Sequence, residues 1–400
     1  MRGMAEGKVL NRWFAAGVWA NETCRDSGLN GGLVRVKSGM QRSSGRVVLQ
    51  AMLSLIAAAQ WAGGAESSGG GLVWSEPRSF DAKLASMRLS VEGNKLRNAR
   101  REEIWLRGVN IASLEWSEQG EHLQEAFGEA LGNWRANVIR LPLAQDRWFG
   151  KTTHRTDGGV AYRAIVDRLV ETCAAARAYI DLDLHWSDKG KWSTDGGKLA
   201  QQEMPDANSV LFWRDVATRY RDQPNVIFGL YNEPHDVSWA VWRDGGAATV
   251  KPPRHETNQV PSTFEAVGLQ QLYQTVRDTG AGNVVTVSGL EWGYDLSGVL
   301  ESYAIEGTNI LYETHPYPFK RDWEKKFGAV SAVHPVFMGE WGGGSKDLDY
   351  GQRLTVYARA HHLHWTAWCF HPSCGPPLLK NWEFEPNDFG RLVKGALAEP

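Results

Sequence analysis

Cysteine is scarce in this chain. Four occur in 400 residues, Cys24, Cys173, Cys369 and Cys374, and none has the paired C-x-x-C spacing of a zinc site. An excess of one charge is also missing. Acidic and basic residues are interspersed, the formal net charge is −2, and no polybasic stripe occurs. The chain therefore lacks the electrostatic footprint of a nucleic-acid binder or of a protein held on an anionic membrane. Histidines do not cluster as H-x-H or H-E-x-x-H, the spacings that put two ligands on one metal. The apolar run Val47 to Ala59 is too short for a membrane span. No solenoid repeat is present.

Tryptophan, by contrast, is abundant, at 19 residues. Some must fill the core, but so many point to an aromatic-lined cleft. Sugar rings present apolar C–H faces that stack on indole, so carbohydrate is the first ligand class to consider. The hydrophobic fraction of 42% over 400 residues suffices for one large domain or two ordinary ones.

The N-terminal third of the chain divides by composition. Residues 1–39 carry no helical or strand period and read as an upstream extension. Met40 to Arg46 is short and basic, Val47 to Ala59 is apolar, and Gly63-Gly-Ala65 supplies small residues. This is the order of a secretory signal over residues 40–65, and it predicts a secreted or periplasmic protein. The competing reading is a disordered tail containing one amphipathic helix. Residues 66–76, rich in Ser and Gly at their start, form a linker, and 77–400 form the folded domain.

From Met87 onward the pattern becomes regular. Alternation near Met87–Val91, the turn signal Glu92-Gly93-Asn94 and the run Ile104–Arg107 predict a small hairpin. Eight strand-like runs follow: near Val109, then Asn137–Leu141, Tyr179–Leu184, Val226–Tyr231, Val284–Val287, Asn309–Tyr312, Val336–Met338 and His364–Trp368. Helical stretches separate them, near Glu118–Trp134, Ala161–Ala178, Ser209–Arg221 and Thr263–Thr279. Short buried strands alternating with helices predict an α/β fold, a (beta/alpha)8 TIM barrel with long strand-end loops. The polar segment His235–Pro261 is expected to lie over the barrel mouth as a long loop.

The ends of these strands carry reactive side chains: Arg140, His185, Asn232-Glu233, Glu291-Trp292, His315-Pro-Tyr317, Glu340 and Trp368. The carboxyl ends of the strands are where barrels keep their chemistry. Glu233 and Glu340, on the fourth and seventh strands, are predicted to face each other. Glycoside hydrolysis needs such a pair, one neutral acid for the leaving oxygen and one anion at the anomeric carbon. Arg140, His315 and Tyr317 would keep one carboxylate ionised, and the charge of Glu340 would raise the pKa of Glu233. Each residue also has a structural use: Arg140 as a salt-bridge partner, the histidines and Trp368 as core, Glu340 as a cap. Taken together, those uses would leave several polar groups unpaired at one barrel face, which is costly.

Leu106-Arg-Gly-Val-Asn110, Val138-Ile-Arg-Leu-Pro142, Asp183-Leu-His185, Tyr231-Asn-Glu-Pro234, His315-Pro-Tyr317, Gly339-Glu-Trp341 and Trp368 occur in that order, one match per strand end. This ordered set resembles glycoside hydrolase family 5, the cellulase-like retaining beta-glycanases, over roughly Met87 to Gly390. The resemblance implies Glu233 as acid/base and Glu340 as nucleophile. It implies Asn232 at the sugar 2-hydroxyl, Arg140 and Tyr317 orienting the nucleophile, and His185 and His315 lining the same subsite. Trp368 is expected to stack on the sugar at the cleavage point. Trp116, Trp148, Trp186, Trp192 and Trp292 are further cleft candidates. No cofactor and no metal are implied. The partner is a beta-glucan or related polysaccharide, and a monomer is expected.

The expected reaction is that of an endo-beta-1,4-glucanase, with beta-mannan, xyloglucan and beta-1,3-glucan as rival substrates. A metallohydrolase using His185, His315, Asp183 and the glutamates is a rival class, as is a sugar-binding barrel without turnover. The segment Cys369–Cys374 departs from the general family pattern. An exported chain would meet an oxidising compartment, and a Cys369–Cys374 disulfide across this short Pro-containing loop is expected. Cys173 is expected as a buried free thiol.

Overall fold

The computed structural model describes residues 72–399, apart from 80, 154–155, 198 and 251–261. The expected extension, the signal segment, the first part of the linker and Cys24 lie outside the described residues. A hairpin of β1 (Ser90–Glu92) and β2 (Lys95–Arg97) comes first. The barrel strands are β3 (Arg107–Asn110), β4 (Val138–Ala144), β5 (Tyr179–Trp186), β6 (Val226–Gly229), β9 (Val285–Ser288), β10 (Ile310–Thr314), β11 (Val336–Trp341) and β12 (His364–Ala367). They pair in parallel and close in the order β10-β11-β12-β3-β4-β5-β6-β9. A second hairpin, β7 (Gly246–Val250) with β8 (Ser262–Ala266), is inserted after β6. This is the (beta/alpha)8 barrel that the strand–helix alternation predicts.

Strand phase separates structure from chemistry. Side chains alternate between the two faces of a strand. Ile139, Leu141 and Leu143 of β4, with Ile180, Leu182 and Leu184 of β5, join the apolar layer under the surrounding helices. Arg140, Asp181, Asp183, His185 and Glu313 take the opposite phase and point into the barrel. The amino-terminal end of the barrel is closed by carbon. Val138, Tyr179, Ile227, Val284, Leu311 and Phe337 pack there against Leu84, Met87, Leu89 and Leu96 of the N-terminal segment. The polar mouth is therefore at the other end, as in barrel enzymes generally.

Three boundaries differ from the sequence reading. The hairpin partner of Ser90–Glu92 is Lys95–Arg97, and Ile104–Arg107 instead leads into the barrel. Gly93, at φ +62, makes the two-residue turn that the shorter hairpin needs. The described part of the segment after β6 is not a plain loop: it forms a helix over Trp239–Asp244 and then strand β7, which pairs with β8, while 251–261 of the expected loop lie outside the described residues. Strand β8 takes residues 263–266 from the expected helix, which begins at Leu269. By contrast, the helix Ala207–Tyr220 starts where local chemistry dictates. The Asp206 side chain accepts from the Asn208 and Ser209 amides, and Ser209 returns a bond to the Asp206 amide.

Gly108 is required by close approach. It pairs with Val138, and a Cβ on it would overlap the Val138 carbonyl. Gly108→Ala should therefore destabilise the fold by about 3 kcal/mol through overpacking. Urea unfolding, read against the wild type at constant m-value, measures the loss.

Candidate active site

Arg140 lies at the centre of the barrel mouth and is fully buried. Its Nη1 donates to Glu340 Oε1 at 3.0 Å and to Asn110 Oδ1 at 3.1 Å. Its Nη2 donates to Asn232 Oδ1 at 2.8 Å and pairs with Asp183 Oδ1 at 3.1 Å and Glu313 Oε1 at 3.0 Å. Asp181 lies 3.9 Å from Nε. One cation thus ties β3, β4, β5, β10 and β11 to the segment after β6. Burial opposes the charge of Arg140, but Asp183, Glu313, Glu340 and Asp181 hold its pKa above the ordinary value. Asp181 is pushed well up by burial and by Glu313, against the opposing pull of Arg140.

The two glutamates are held differently. Glu340 accepts from Arg140 on Oε1 and from the Tyr317 hydroxyl on Oε2, at 2.7 Å. A charged and a neutral donor thus orient it from two sides. Glu233 has its Oε1 2.8 Å from His315 Nδ1, and its Oε2 accepts from the Gln201 carboxamide. The other nitrogen of His315 lies 2.9 Å from Glu313. One oxygen of Glu233, one oxygen of Glu340 and one nitrogen of His315 fall within 4.8 Å of one another. The pair across the mouth that the strand positions predict is present.

The expected direction of the Glu233 shift is overturned. Burial does push its pKa up, but the bond from His315 and the charges of His315, His185 and His235 outweigh it, and the net shift is downward. The reason lies in His315. Burial disfavours its charge, yet Glu340, Glu233 and Glu313 surround it and push its pKa up to about 10. The imidazolium sits between the two glutamates and cancels the repulsion that was to raise Glu233.

The same charge argues against a metal. Glu233, His315 and Glu340 approach closely enough to share an ion. Both His315 nitrogens are already engaged with carboxylates, and the Arg140 guanidinium contacts Glu340. A divalent cation would meet two fixed positive charges, so this donor set does not fit one.

His185 is fixed by Asp183 at 2.7 Å and lies in parallel with the Trp368 ring, centroids 5.5 Å apart. Trp368 is 7% exposed and its Nε1 donates to the Gly375 carbonyl, so one edge is anchored beside the mouth. Trp292 stacks on His235 at 3.4 Å, on the β6–β9 flank. Trp116 packs with Trp368, and Trp186 and Trp192 are half-buried. Trp148 is not a cleft residue. It is fully buried and its Nε1 donates to Asp215 at 2.7 Å. The Cys369–Cys374 bridge is not formed: both residues are free thiols in hydrogen-bond contact. The backbone between them is held instead by the Ser373 and Cys374 amides donating to His371 Nδ1. Cys173 is a buried free thiol, as expected.

Sequence reasoning did not reach Glu313, Asp181, Gln201 or Glu115. Glu115 is buried, and burial raises its pKa to about 7. Asp181 and Glu313 left a usable signal: acidic residues at period two in otherwise apolar strands mark an inward polar face. Gly339 left another, because a Cβ there would overlap the Glu313 carboxyl. Gln201 left none, since it reaches Glu233 from a connecting segment.

Comparison with known proteins matches this geometry to a family. The family model described as Cellulase (glycosyl hydrolase family 5) matches residues 97–373. The chain belongs to that family, and barrel and site together define a glycoside hydrolase domain. Endoglucanase A of Butyrivibrio fibrisolvens is 24% identical over 259 residues, covering 64% of this chain and 52% of the relative. Cellulase CelDZ1 of a Thermoanaerobacterium species is 22% identical over 301 residues, 70% of this chain and 69% of the relative. The chain spans about half the length of several curated relatives it matches. Among solved structures, a beta-glucanase from Saccharophagus degradans superposes with a TM-score of 0.63 at 24% identity, covering 81% of this chain and 97% of that one.

Arg140→Met tests the central cation. It leaves Asp183, Glu313 and Glu340 buried without their partner, and such a loss costs about 3–5 kcal/mol. Chemical denaturation should show that loss; a cost below about 1 kcal/mol would contradict the role of Arg140.

Proposed function

We propose that the protein is a retaining beta-glycoside hydrolase that cleaves beta-1,4-glucan within the chain. The observation that carries this reading is the approach of Glu233 and Glu340 to within 4.8 Å at the barrel mouth. Carboxyl groups about 5–5.5 Å apart leave no room for a water between the nucleophile and the anomeric carbon. Glu340 therefore attacks that carbon directly. Its carboxylate oxygen bonds to the carbon as the glycosidic C–O bond breaks, and Glu233 gives its proton to the leaving oxygen. In the second step Glu233 takes a proton from water, the water oxygen bonds to the anomeric carbon, and the ester to Glu340 breaks. In this reading Asn232, whose Oδ1 accepts from Arg140, bonds the 2-hydroxyl, and Trp368 stacks on the apolar face of the ring.

The choice of beta-glucan is supported by the relatives. Several carry the name endoglucanase, and the Saccharophagus degradans beta-glucanase has a solved complex with cellotetraose. A panel of beta-1,4-glucan, beta-mannan, xyloglucan and beta-1,3-glucan, followed by reducing-sugar release, tests it. Beta-1,4-glucan should be hydrolysed fastest, and early-time NMR should show the beta anomer first. With an activated substrate, Glu233→Ala plus azide should give a beta-glycosyl azide, and Glu340→Ala plus azide the alpha product. Loss of the general acid should lower turnover of an unactivated substrate by about 10²–10⁴-fold. Exchanged azide anomers would mean exchanged roles, and inverted products would eliminate the ester intermediate.

The order basic, apolar, small in residues 40–65 supports export to the periplasm or outside the cell. The exported protein should begin after Ala65. A mature N-terminus before Met40, found by mass spectrometry, would overturn this.

A further inference from the structure

We infer that the Gln201 carboxamide occupies the place of the leaving sugar in the resting enzyme, and that it must swing away before Glu233 can protonate the glycosidic oxygen. The inference rests on the reading of Glu233 as acid/base. The geometry is specific. Glu233 Oε1 faces His315 Nδ1 at 2.8 Å, so that oxygen is taken from the barrel side. Only Oε2 is left to meet the leaving oxygen, and Oε2 accepts from Gln201 Nε2. A donor at each oxygen favours the ionised carboxyl, which has no proton to give. A leaving oxygen must stand at hydrogen-bond distance from the acid's proton, which is where the Gln201 amide stands.

What moves is the side chain rather than the loop. The backbone on both sides of Gln201 is pinned. Ala200 exchanges two bonds with Ser187, at 3.0 and 3.2 Å. The Gln202 carbonyl accepts from the Tyr231 hydroxyl at 2.7 Å, and the Glu203 carbonyl from the His235 amide at 3.0 Å. The Gln201 residue itself is only half-buried, while the carboxyl it covers is buried. Its arm can therefore rotate toward solvent on a fixed base. There its amide remains next to the departing sugar and can bond a hydroxyl of it. Gln201 is thus a positioning residue that couples occupancy of the leaving-group side to the proton affinity of Glu233. A hydroxyl-bearing sugar is the ligand that can both displace the amide and satisfy it.

The other groups facing Glu233 are His315, Glu340, Tyr317 and Lys320 from the β10 and β11 ends, His185 from β5 and His235 from its own segment. Gln201→Ala changes none of these, so its effect on the pH profile is readable. The alkaline limb of kcat/KM reports the acid in the free enzyme, and that of kcat reports it in the complex. Removing the donor raises the proton affinity of free Glu233. Measured on a beta-1,4-glucan oligosaccharide, the kcat/KM limb should move up by about one pH unit, the size of a hydrogen bond to a charged group. The kcat limb should stay in place. Gln201→Asn, with its amide one methylene short, should give the same split. If both limbs move together, Gln201 remains on Glu233 in the complex and the proposal is overturned. If neither moves, the contact is not made in solution, and the proposal also fails. Glu233→Ala provides the control. It should abolish the alkaline limb; a limb that survives would show that Glu233 is not the acid, which is a different failure.

Discussion

The structure depends on one buried cation. Arg140 has no access to solvent, yet it reaches Glu340, Asp183, Glu313, Asn232 and Asn110, and faces Asp181. Burying so many carboxyl groups is unfavourable unless their charge is met within the protein. Arg140 meets part of it and His315 meets another part. The planar guanidinium suits this task because it presents several donors in fixed directions. Orientation of Glu340 and neutralisation of the barrel interior are therefore one interaction.

The rest of the fold keeps that interaction in place. Apolar side chains of one strand phase face the helices, and a carbon plug of N-terminal residues seals the far end of the barrel. The opposite phase is then left to polar groups. Small residues make room at two points. Gly108 lets β3 approach Val138, and Gly339 leaves the space that the Glu313 carboxyl fills beside Glu340. Glu313 in turn holds the far nitrogen of His315, which contacts Glu233. A chain of contacts thus runs from the core of the barrel to Glu233.

The two glutamates illustrate how like residues acquire unlike surroundings. Glu340 is oriented by Arg140 and Tyr317, both fixed by the scaffold. Glu233 is held by an imidazolium on one oxygen and by a half-buried amide on the other. The first arrangement includes a fully buried guanidinium tied to several strands. The second has one partner on a rotatable arm, so its environment changes as the mouth fills.

The sequence by itself determined the barrel, because apolar runs of strand length alternate with helical stretches and each run buries both faces. It determined the facing glutamates and most of their neighbours, because Arg140, His185, Asn232, Glu233, His315, Tyr317, Glu340 and Trp368 stand at strand ends. It did not determine the hairpin pairing near Gly93 or the β7–β8 insertion, where turn geometry and pairing partners outweigh local pattern. Nor did it settle the role of Trp148, whose position near a strand end is compatible with both cleft and core. Only the tertiary structure decided the proton affinity of Glu233. Sequence distance placed it opposite another carboxylate, which would raise its pKa, whereas folding inserted His315 between them and lowered it. The physical reason is that a buried carboxyl responds to every charge within a few ångströms, and those charges arrive from strands that are far apart in the chain.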